Sequence, residues 1–269
     1  MNENPPWGNY APSKWKRLAL MLAKLGLGCG KGKKVLQRIW QSGHDSKVAD
    51  IVKFSIKWRL DFSNNVTDAK ILFASKEYDR REIGALIQAT TNGVFVDIGA
   101  NIGYYALRLA NAGATVLALE PNLIAYRRLL FNININSLDI KITALPLGVG
   151  EEGEHTLYFD DLGGGSLVSS FNNRTHKAKI HTSPLIDILA AQNIGRIDAL
   201  KIDIEGAEDL ALTPFFKNAP REIWPACIVI EDCHRAEWKT DIIKTLLESG
   251  YKQTLKTRAN TILSLPRKK

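Results

Sequence analysis

Two acidic residues at predicted strand ends are the first candidates for ligand chemistry. Asp97 interrupts the apolar run Val94–Ile98, which is typical of a buried parallel strand that enters a glycine turn. Glu120 ends a second such run, Thr115–Glu120. A carboxylate in the first strand attracts a cationic group, and one at the end of the second can accept hydrogen bonds from both hydroxyls of a ribose. The pair predicts a site for a positively charged nucleoside.

The turn after the first strand narrows the choice of nucleoside. It reads Asp97-Ile-Gly-Ala-Asn-Ile-Gly103, so Asn101 stands where the dinucleotide fingerprint has its middle glycine. The acid at Asp97 would repel a pyrophosphate, whereas it suits the ammonium of S-adenosylmethionine. We therefore disfavour a nicotinamide cofactor. The residues predicted to bind S-adenosylmethionine are Asp97, Gly99, Asn101, Gly103 and Glu120.

A second acidic block, Lys201-Ile-Asp-Ile-Glu-Gly-Ala-Glu208, lies about a hundred residues later. Lys201 and Asp203 alternate with apolar residues of a predicted buried strand, which is costly unless the charges pair or face a cleft. At the carboxyl end of that strand, Asp203 and Glu205 would project into the crevice where open α/β sheets bind ligands. We predict that they position or deprotonate an acceptor. The alternative is an ion pair of Lys201 that only orders the turn.

A third group of polar residues lies at the end of the predicted strand Ala226–Glu231. That strand should lie beside the strand of Asp203. His234 could take a proton from an acceptor hydroxyl there, with a plain surface histidine as the alternative. Asp203, Glu231 and Asp232 could converge as oxygen ligands of Mg²⁺. Because carboxylates are common at strand ends, we assign no metal from them, and S-adenosylmethionine is the expected cofactor.

Together these motifs resemble the FkbM-type S-adenosylmethionine-dependent methyltransferases. The resemblance rests on the glycine turn, on Glu120-Pro121 and on the Lys201–Glu208 block, and it runs from about Tyr78 to Glu231. It implies an O-methyltransferase that acts on a hydroxyl of a sugar, polyketide or glycolipid-type acceptor. Three alternatives stay open: transfer to an amine, a nicotinamide oxidoreductase, and a non-catalytic module that keeps the cofactor pocket.

The predicted elements form an α/β, Rossmann-like class I methyltransferase fold with a mostly parallel seven-stranded sheet. Tyr251–Thr257 and Thr261–Leu265 are expected to supply its antiparallel closing pair. We expect the cofactor-binding catalytic domain at 91–269. A basic helical arm with its linker at 1–47 and a capping hairpin and helix at 48–90 would precede it.

The capping hairpin is predicted from a period-two pattern. Apolar residues alternate with polar ones from Val52 to Phe62, which predicts one half-buried strand. Ser63–Asn65 would form the turn, and Ala69–Ala74 the partner strand. Later, the glycines of Gly163–Gly165 predict a mobile loop that either closes over the site or is a plain surface linker.

Positive charge is concentrated in the N-terminal segment. The net charge of the 269 residues is +8, and residues 1–60 hold 12 Lys/Arg against 3 Asp/Glu, a balance of +9. A helix from Ser13 to Gly26 or Gly28 is predicted there, followed by a flexible basic linker at Gly28–Lys34. One face of that helix would carry Trp15, Leu18, Leu22 and Leu25.

This basic arm has three interpretations. It could bind an anionic membrane surface, it could steer an acidic substrate, or it could pack on the core with its cations in solvent. No nucleic-acid reading module accompanies the charge, so we expect no nucleic acid partner. The three cysteines lack metal-ligand spacing, and no apolar run is long enough to span a bilayer. We expect a cytoplasmic protein that can contact a membrane surface peripherally.

Overall fold

The structure is a computed structural model that describes residues 5–28, 30–41, 46–61, 66–74, 78–159, 165–167 and 176–266. The N-terminal part holds α1 (Lys14–Leu22), a π-helical turn (Ala23–Leu27), α2 (Gly30–Gln41), β1 (Val48–Lys53), β2 (Ile56–Asp61), α3 (Val66–Phe73) and α4 (Arg80–Ala89). The central part holds β3 (Val94–Ile98), α5 (Tyr104–Asn111), β4 (Thr115–Leu119), α6 (Leu123–Ile135), β5 (Ile142–Leu145), β6 (Gly148–Val149), β7 (Gly153–Phe159), β8 (Gly165–Ser166) and β9 (His176–Ser183). The C-terminal part holds α7 (Leu185–Ala191), β10 (Ala199–Ile202), α8 (Glu208–Asn218), β11 (Cys227–Glu231), α9 (Ile242–Glu248), β12 (Lys252–Lys256) and β13 (Asn260–Ser264).

Seven strands form the central sheet in the order β12-β13-β11-β10-β3-β4-β5. Neighbouring strands run parallel, except that β13 is antiparallel to both β11 and β12. The expected Rossmann-like, mostly parallel sheet with an antiparallel closing strand is confirmed. The chain leaves β3 toward β4 on one side and later returns to β10 on the other. The carboxyl ends of β3 and β10 therefore flank the switch point where such sheets bind ligands.

Helices cover both faces of this sheet, which explains why its central strands are apolar almost throughout. Successive residues of a strand point to opposite faces. Phe95 accordingly packs in one core with Leu86 and Leu109, whereas Val96 belongs to a second core with Leu212 and Phe215. The polar Asp97 and Lys201 stand in these buried strands as exceptions, and both belong to the site described below.

The N-terminal hairpin differs from the prediction. The chain turns at Phe54 and Ser55, whose φ angles are 56° and 60°, so β1 and β2 pair across a two-residue loop. The single strand predicted from Val52 to Phe62 is therefore wrong. A two-residue loop whose residues both have positive φ is a standard hairpin turn, and it shifts the inward-facing positions by one residue, so Ile51 is buried and Val52 is 62% exposed. The alternating pattern alone could not reveal the turn.

The predicted partner strand at Ala69–Ala74 is also wrong, because α3 occupies it up to Phe73. Most residues of α3 from Asp68 onward are buried, so the segment lacks the one-sided periodicity that identifies a surface helix. The predicted turn at Ser63–Asn65 lies outside the described residues, as do Gly163 and Gly164 of the glycine loop.

The N-terminal helix begins after Ser13 as predicted, but it packs through its less apolar side. Lys16 and Ala19 are buried, whereas Trp15 is 69% exposed. The Lys16 ammonium lies 5.2 Å from the ring centroid of Trp40 in α2. The linker predicted to be flexible is helical from Gly30, where α2 begins. Within the described residues, no helix combines the length and hydropathy needed to cross a membrane.

Candidate active site

A cavity of about 230 Å³ opens at the carboxyl ends of β3, β4 and β10. Five of the residues predicted from sequence line it, namely Gly99, Asn101, Glu120, Asp203 and Glu205. Lys201 contributes from β10, and α3 and the segment before α4 close the opposite side. The structure thus brings the two acidic motifs, about a hundred residues apart in sequence, to a single site.

The glycine turn joins the two motifs physically. Gly99 has a φ of 76°, and a Cβ atom added to it would lie 2.0 Å from the backbone oxygen of Asp203. The backbone N–H groups of Gly99 and Ala100 both donate to the carbonyl of Leu119 at the end of β4, at 2.9 and 3.0 Å. Only glycine fits at position 99, because the turn must pass against the end of β10 while it stays attached to β4.

Glu120 is held as an acceptor at the edge of the cavity. Its Oε2 accepts the N–H of Asn101 at 2.7 Å, and its Oε1 accepts the N–H of Asn122 at 2.8 Å. A carboxylate has about four acceptor positions, so each oxygen can accept one further hydrogen bond. Burial raises the pKa of Glu120 to about 7, although the two N–H donors oppose this shift.

Lys201 is the buried cation of the site, and its side chain is 5% exposed. Its Nζ lies 3.5 Å from Oδ2 of Asp203 and 3.8 Å from Oδ1 of Asp97, and it donates to the carbonyl of Gly99 at 3.2 Å. Burial disfavours the charged amine, but the carboxylates of Asp203 and Asp97 outweigh it and raise the pKa of Lys201 above its ordinary value. The ion pair considered as an alternative is present, and it also lines the cavity.

Asp97 and Gly103 do not reach the cavity. Asp97 is completely buried, and its Oδ2 accepts the N–H of Ala106 in α5 at 3.0 Å. Burial raises its pKa to about 6, against the opposing charge of Lys201. Gly103 precedes α5 with a φ of 96°, and an added Cβ atom would meet Leu107 and Leu129. The carboxylate of Asp97 therefore acts on the cavity through Lys201, and Gly103 shapes the start of the helix.

The loop after β10 presents Glu205 to the cavity. Glu205 has a φ of 55°, an uncommon conformation for a residue with a side chain, and Gly206 follows with a φ of 97°. The buried carboxylate of Glu208 fixes this loop by accepting the N–H groups of Ile204 at 2.9 Å and Gly206 at 3.0 Å. The indole of Trp238 donates to the same carboxylate at 2.8 Å. Sequence analysis did not assign this positioning role to Glu208, although Glu208 ends the second motif.

His234 lies behind Glu205 and is not part of the cavity wall. Its Nδ1 is 3.8 Å from Oε2 of Glu205 and 3.7 Å from Oε2 of Glu231. Burial raises the pKa of Glu231 to about 7. His234 thus faces two carboxylates, of which Glu205 lines the cavity.

The three candidate metal ligands do not converge. Both oxygens of Asp232 have partners in the protein, because its Oδ2 accepts the hydroxyl of Thr261 at 2.7 Å and its Oδ1 pairs with Lys256. Glu231 uses one oxygen to accept the N–H of Cys233 at 3.2 Å. Across the described part of the chain, no group of three or more acidic, histidine or cysteine side chains has a metal-binding arrangement.

The wall opposite β10 contains residues that sequence analysis did not select. Asp79 lines the cavity and accepts the hydroxyl of Tyr105 at 2.9 Å. Burial raises the pKa of Asp79, although Tyr105 and Lys70 oppose the shift. The ring of Tyr78 stacks on Tyr104 with centroids 4.0 Å apart. No motif in the sequence linked these residues to Asp203.

An apolar recess adjoins the cavity and shares four residues with it. The shared residues are Gly99, Pro121, Leu157 and Ile204. Ile98, Leu119, Leu147 and Val149 complete most of the remaining lining. Leu157 comes from the smaller sheet, of order β6-β9-β7-β8, which follows β5 in the chain. The lining of this recess is apolar, in contrast to the acidic cavity beside it.

Comparison with known proteins matches residues 97–252 to the Methyltransferase FkbM domain, which is more than half of the chain. The chain belongs to the FkbM methyltransferase family. The predicted resemblance is therefore confirmed, and this FkbM-family protein is an S-adenosylmethionine-dependent methyltransferase. Methyltransferase 1 of Beauveria bassiana is 25% identical to it over 214 residues, which cover 70% of this chain and 83% of the relative.

Two solved structures resemble this protein at low sequence identity. A putative O-methyltransferase from Klebsiella pneumoniae is 11% identical, with a TM-score of 0.42, and the match covers 96% of this chain and 93% of the other. The M. jannaschii tRNA m1G37 methyltransferase is 13% identical, with a TM-score of 0.43, and the match covers 84% and 59%. Neither likeness bears on the acceptor.

The raised pKa of Glu120 predicts pH-dependent cofactor binding. For a Glu120 that holds the ribose as proposed below, protonation removes an acceptor, so with a pKa of about 7 we expect S-adenosylmethionine to bind about tenfold more tightly at pH 8 than at pH 6. Titration calorimetry at both pH values measures this difference, and Glu120→Gln should flatten it. An equal pH dependence in that variant would contradict the assignment.

Ionisation of Glu120 favours cofactor binding but lowers the stability of the cofactor-free protein. The pKa of Glu120 is about 7 in the folded protein, above its ordinary value of 4.5. The folded state therefore binds this proton more tightly than the unfolded state does, and the stability that it contributes is lost as pH rises through 7. Cofactor affinity at neutral pH thus comes with a cost in stability.

Proposed function

We propose that this FkbM-family methyltransferase transfers the methyl group to a hydroxyl of a small sugar, polyketide or glycolipid-type acceptor. The observation that carries the proposal is that Glu120 and Asp203 line one continuous cavity. One carboxylate is suited to hold a nucleoside, and the other is suited to hold the group that receives the methyl. In this proposal S-adenosylmethionine is the only cofactor, without Mg²⁺.

Glu120 and the turn at Gly99 to Asn101 hold the cofactor in this proposal. The free acceptor positions of Glu120 face the two ribose hydroxyls, and the apolar recess around Leu119 and Leu147 receives the base. The carboxylate of the amino-acid moiety lies toward Lys201, whose charge complements it. When bound, S-adenosylmethionine supplies a methyl group that is already activated by the positive sulfonium.

Asp203 is proposed to hold the acceptor hydroxyl and to receive its proton. Glu205 and Asp79 line the same cavity and would bind further polar groups of the acceptor. Because the methyl group is already activated, the chain contributes mainly alignment, which can supply up to about 7–11 kcal/mol. His234 orients Glu205 in this scheme, and Asp97 keeps Lys201 charged.

Transfer to an amine is the second candidate, because the carboxylates of Asp79, Asp203 and Glu205 would also attract an ammonium. Hydroxyl transfer is favoured because Lys201 offsets part of this negative charge within the cavity. We further propose that the protein works in the cytoplasm, consistent with free thiols at Cys227 and Cys233, and that nucleic acid is not its acceptor.

Methyl transfer from labelled S-adenosylmethionine tests the proposed acceptor class. The purified protein is incubated with matched panels of hydroxyl and amine compounds, and with RNA. We expect label in alcohols of the sugar, polyketide or glycolipid type, and loss of that label with Asp203→Asn. Label confined to amines or to RNA would contradict the proposal of O-methylation of a small acceptor, while leaving methyltransferase activity intact.

A further inference from the structure

We infer that the exposed face of α1 and of the following π-helical turn docks on an anionic lipid surface. We call this surface the arm face. Its apolar members are Trp15, Leu18, Met21, Leu25 and Leu27, and Lys14, Arg17 and Lys24 lie among them. The inference is independent of the acceptor and of methyl transfer.

The apolar side chains of the arm face are unusually exposed for a helix attached to a core. Trp15 is 69% exposed, Met21 52% and Leu25 74%. The opposite side of the same helix already contacts the protein, because Ala19 and Ala23 are almost completely buried. The helix is therefore fixed to the domain through one side while its more apolar side remains exposed. A contiguous exposed apolar patch of this kind marks an interaction site.

The charge around the arm face identifies the chemistry of the partner. Residues 14–41 contain eight Lys/Arg and no Asp/Glu. An interface of cations interleaved with a tryptophan and aliphatic side chains suits the boundary between anionic headgroups and acyl chains, where both kinds of side chain are satisfied. A nucleic acid would neutralise the cations but would leave Trp15, Met21 and Leu25 in water. A bilayer surface rich in anionic lipid is therefore the occupant we propose.

The arm is also connected to the catalytic cavity. Trp40 of α2 packs edge-to-face on Phe73 at the end of α3, with ring centroids 5.7 Å apart. Val66 and Lys70, at the other end and middle of α3, line the cavity. Helix α3 therefore spans from the helical arm to the acceptor side of the site. Docking of the arm face would hold the enzyme at the surface where lipid-associated molecules are found.

Vesicle co-sedimentation of the full chain tests the inference. Vesicles are made of phosphatidylcholine alone or of phosphatidylcholine with phosphatidylserine. We expect partition onto the anionic vesicles only, weakened by added salt. The variant Trp15→Glu/Leu25→Glu should partition at least about tenfold less, because it places charge in the apolar face. The matched control is Ile140→Glu, since Ile140 is 87% exposed but lies far along the chain, after α6.

Three results would overturn the inference. The first is failure of the wild-type chain to sediment with anionic vesicles. The second is an equal loss of partition in the Ile140→Glu control. The third is a change in sedimentation mass between wild type and Trp15→Glu/Leu25→Glu without lipid, which would mean that copies of the chain cover this face. Circular dichroism and S-adenosylmethionine binding should remain unchanged in the double variant, so loss of folding would be recognised separately.

Discussion

Replacement of Glu120 by alanine is expected to weaken S-adenosylmethionine binding by about 100-fold or more. Both oxygens of Glu120 are oriented by backbone N–H groups, at 2.7 and 2.8 Å, so their remaining acceptor positions are fixed at the edge of the cavity. A hydrogen bond to a charged group contributes about 1.5–3 kcal/mol, and each 1.4 kcal/mol is a factor of about ten in affinity. Titration calorimetry at pH 8 measures the loss directly.

Two further variants separate loss of binding from loss of folding. Glu120→Gln keeps one oxygen acceptor for the turn, so it should fold well and show an intermediate affinity. Glu154→Ala is the matched control, because Glu154 is an exposed glutamate that pairs with Lys179 on the smaller sheet. An affinity of Glu120→Ala within about threefold of the Glu154→Ala control would contradict the assigned role.

Replacement of Asp203 by asparagine is expected to lower kcat by about 100- to 10,000-fold, the range typical for loss of a general base. Asparagine keeps the size of the side chain and can still accept a hydrogen bond, but it cannot take up a proton at neutral pH. The dissociation constant for S-adenosylmethionine should change by less than about fivefold, because Asp203 acts on the acceptor and Lys201 keeps Asp97 as a partner. Turnover of labelled cofactor with a hydroxyl acceptor provides the rate.

The controls for this prediction distinguish catalysis from acceptor binding. Asp187→Asn, at an exposed position of α7, should leave all constants unchanged. Asp79→Asn should chiefly raise KM for the acceptor, since Asp79 is proposed to bind a second polar group. A larger loss of kcat in Asp79→Asn than in Asp203→Asn would identify Asp79, on the opposite wall of the cavity, as the general base. That result would contradict the assignment of Asp203.

The catalytic fold was predictable because its signals are local and strong. The strand at Val94–Ile98, its glycine turn and the helix after it follow one another within about twenty residues, and each has its own period. The Lys201–Glu208 block could be assigned to the same edge because carboxyl ends of parallel strands meet there. Five candidate cofactor or acceptor residues selected on this reasoning line the cavity.

What the sequence could not reveal is which way individual charges point. Asp97 fits a cofactor contact by spacing, yet its carboxylate caps Ala106 inside the fold and faces Lys201. Asp79 reaches the cavity only because α4 and α5 pack side by side, and no local pattern encodes that contact. The hairpin turn at Phe54 was hidden by the alternation that continues through it.

For the N-terminal helix, the sequence could not show which face of the helix is covered by the rest of the protein. A helical pattern predicts that one side is apolar, but it does not state whether the protein itself covers that side. Here the domain covers the side of Ala19, and the side of Trp15 stays exposed. Tertiary packing therefore turned an ordinary amphipathic pattern into a candidate docking surface.

A crystal structure of the complex with S-adenosylhomocysteine tests the central claim most directly, because that claim is the position of the nucleoside at the carboxyl ends of β3 and β4. We predict that both ribose hydroxyls donate to the carboxylate of Glu120, that the base occupies the recess at Leu119 and Leu147, and that the sulfur faces Asp203. A nucleoside bound elsewhere, or one in this cavity whose ribose makes no contact with Glu120, would contradict the account.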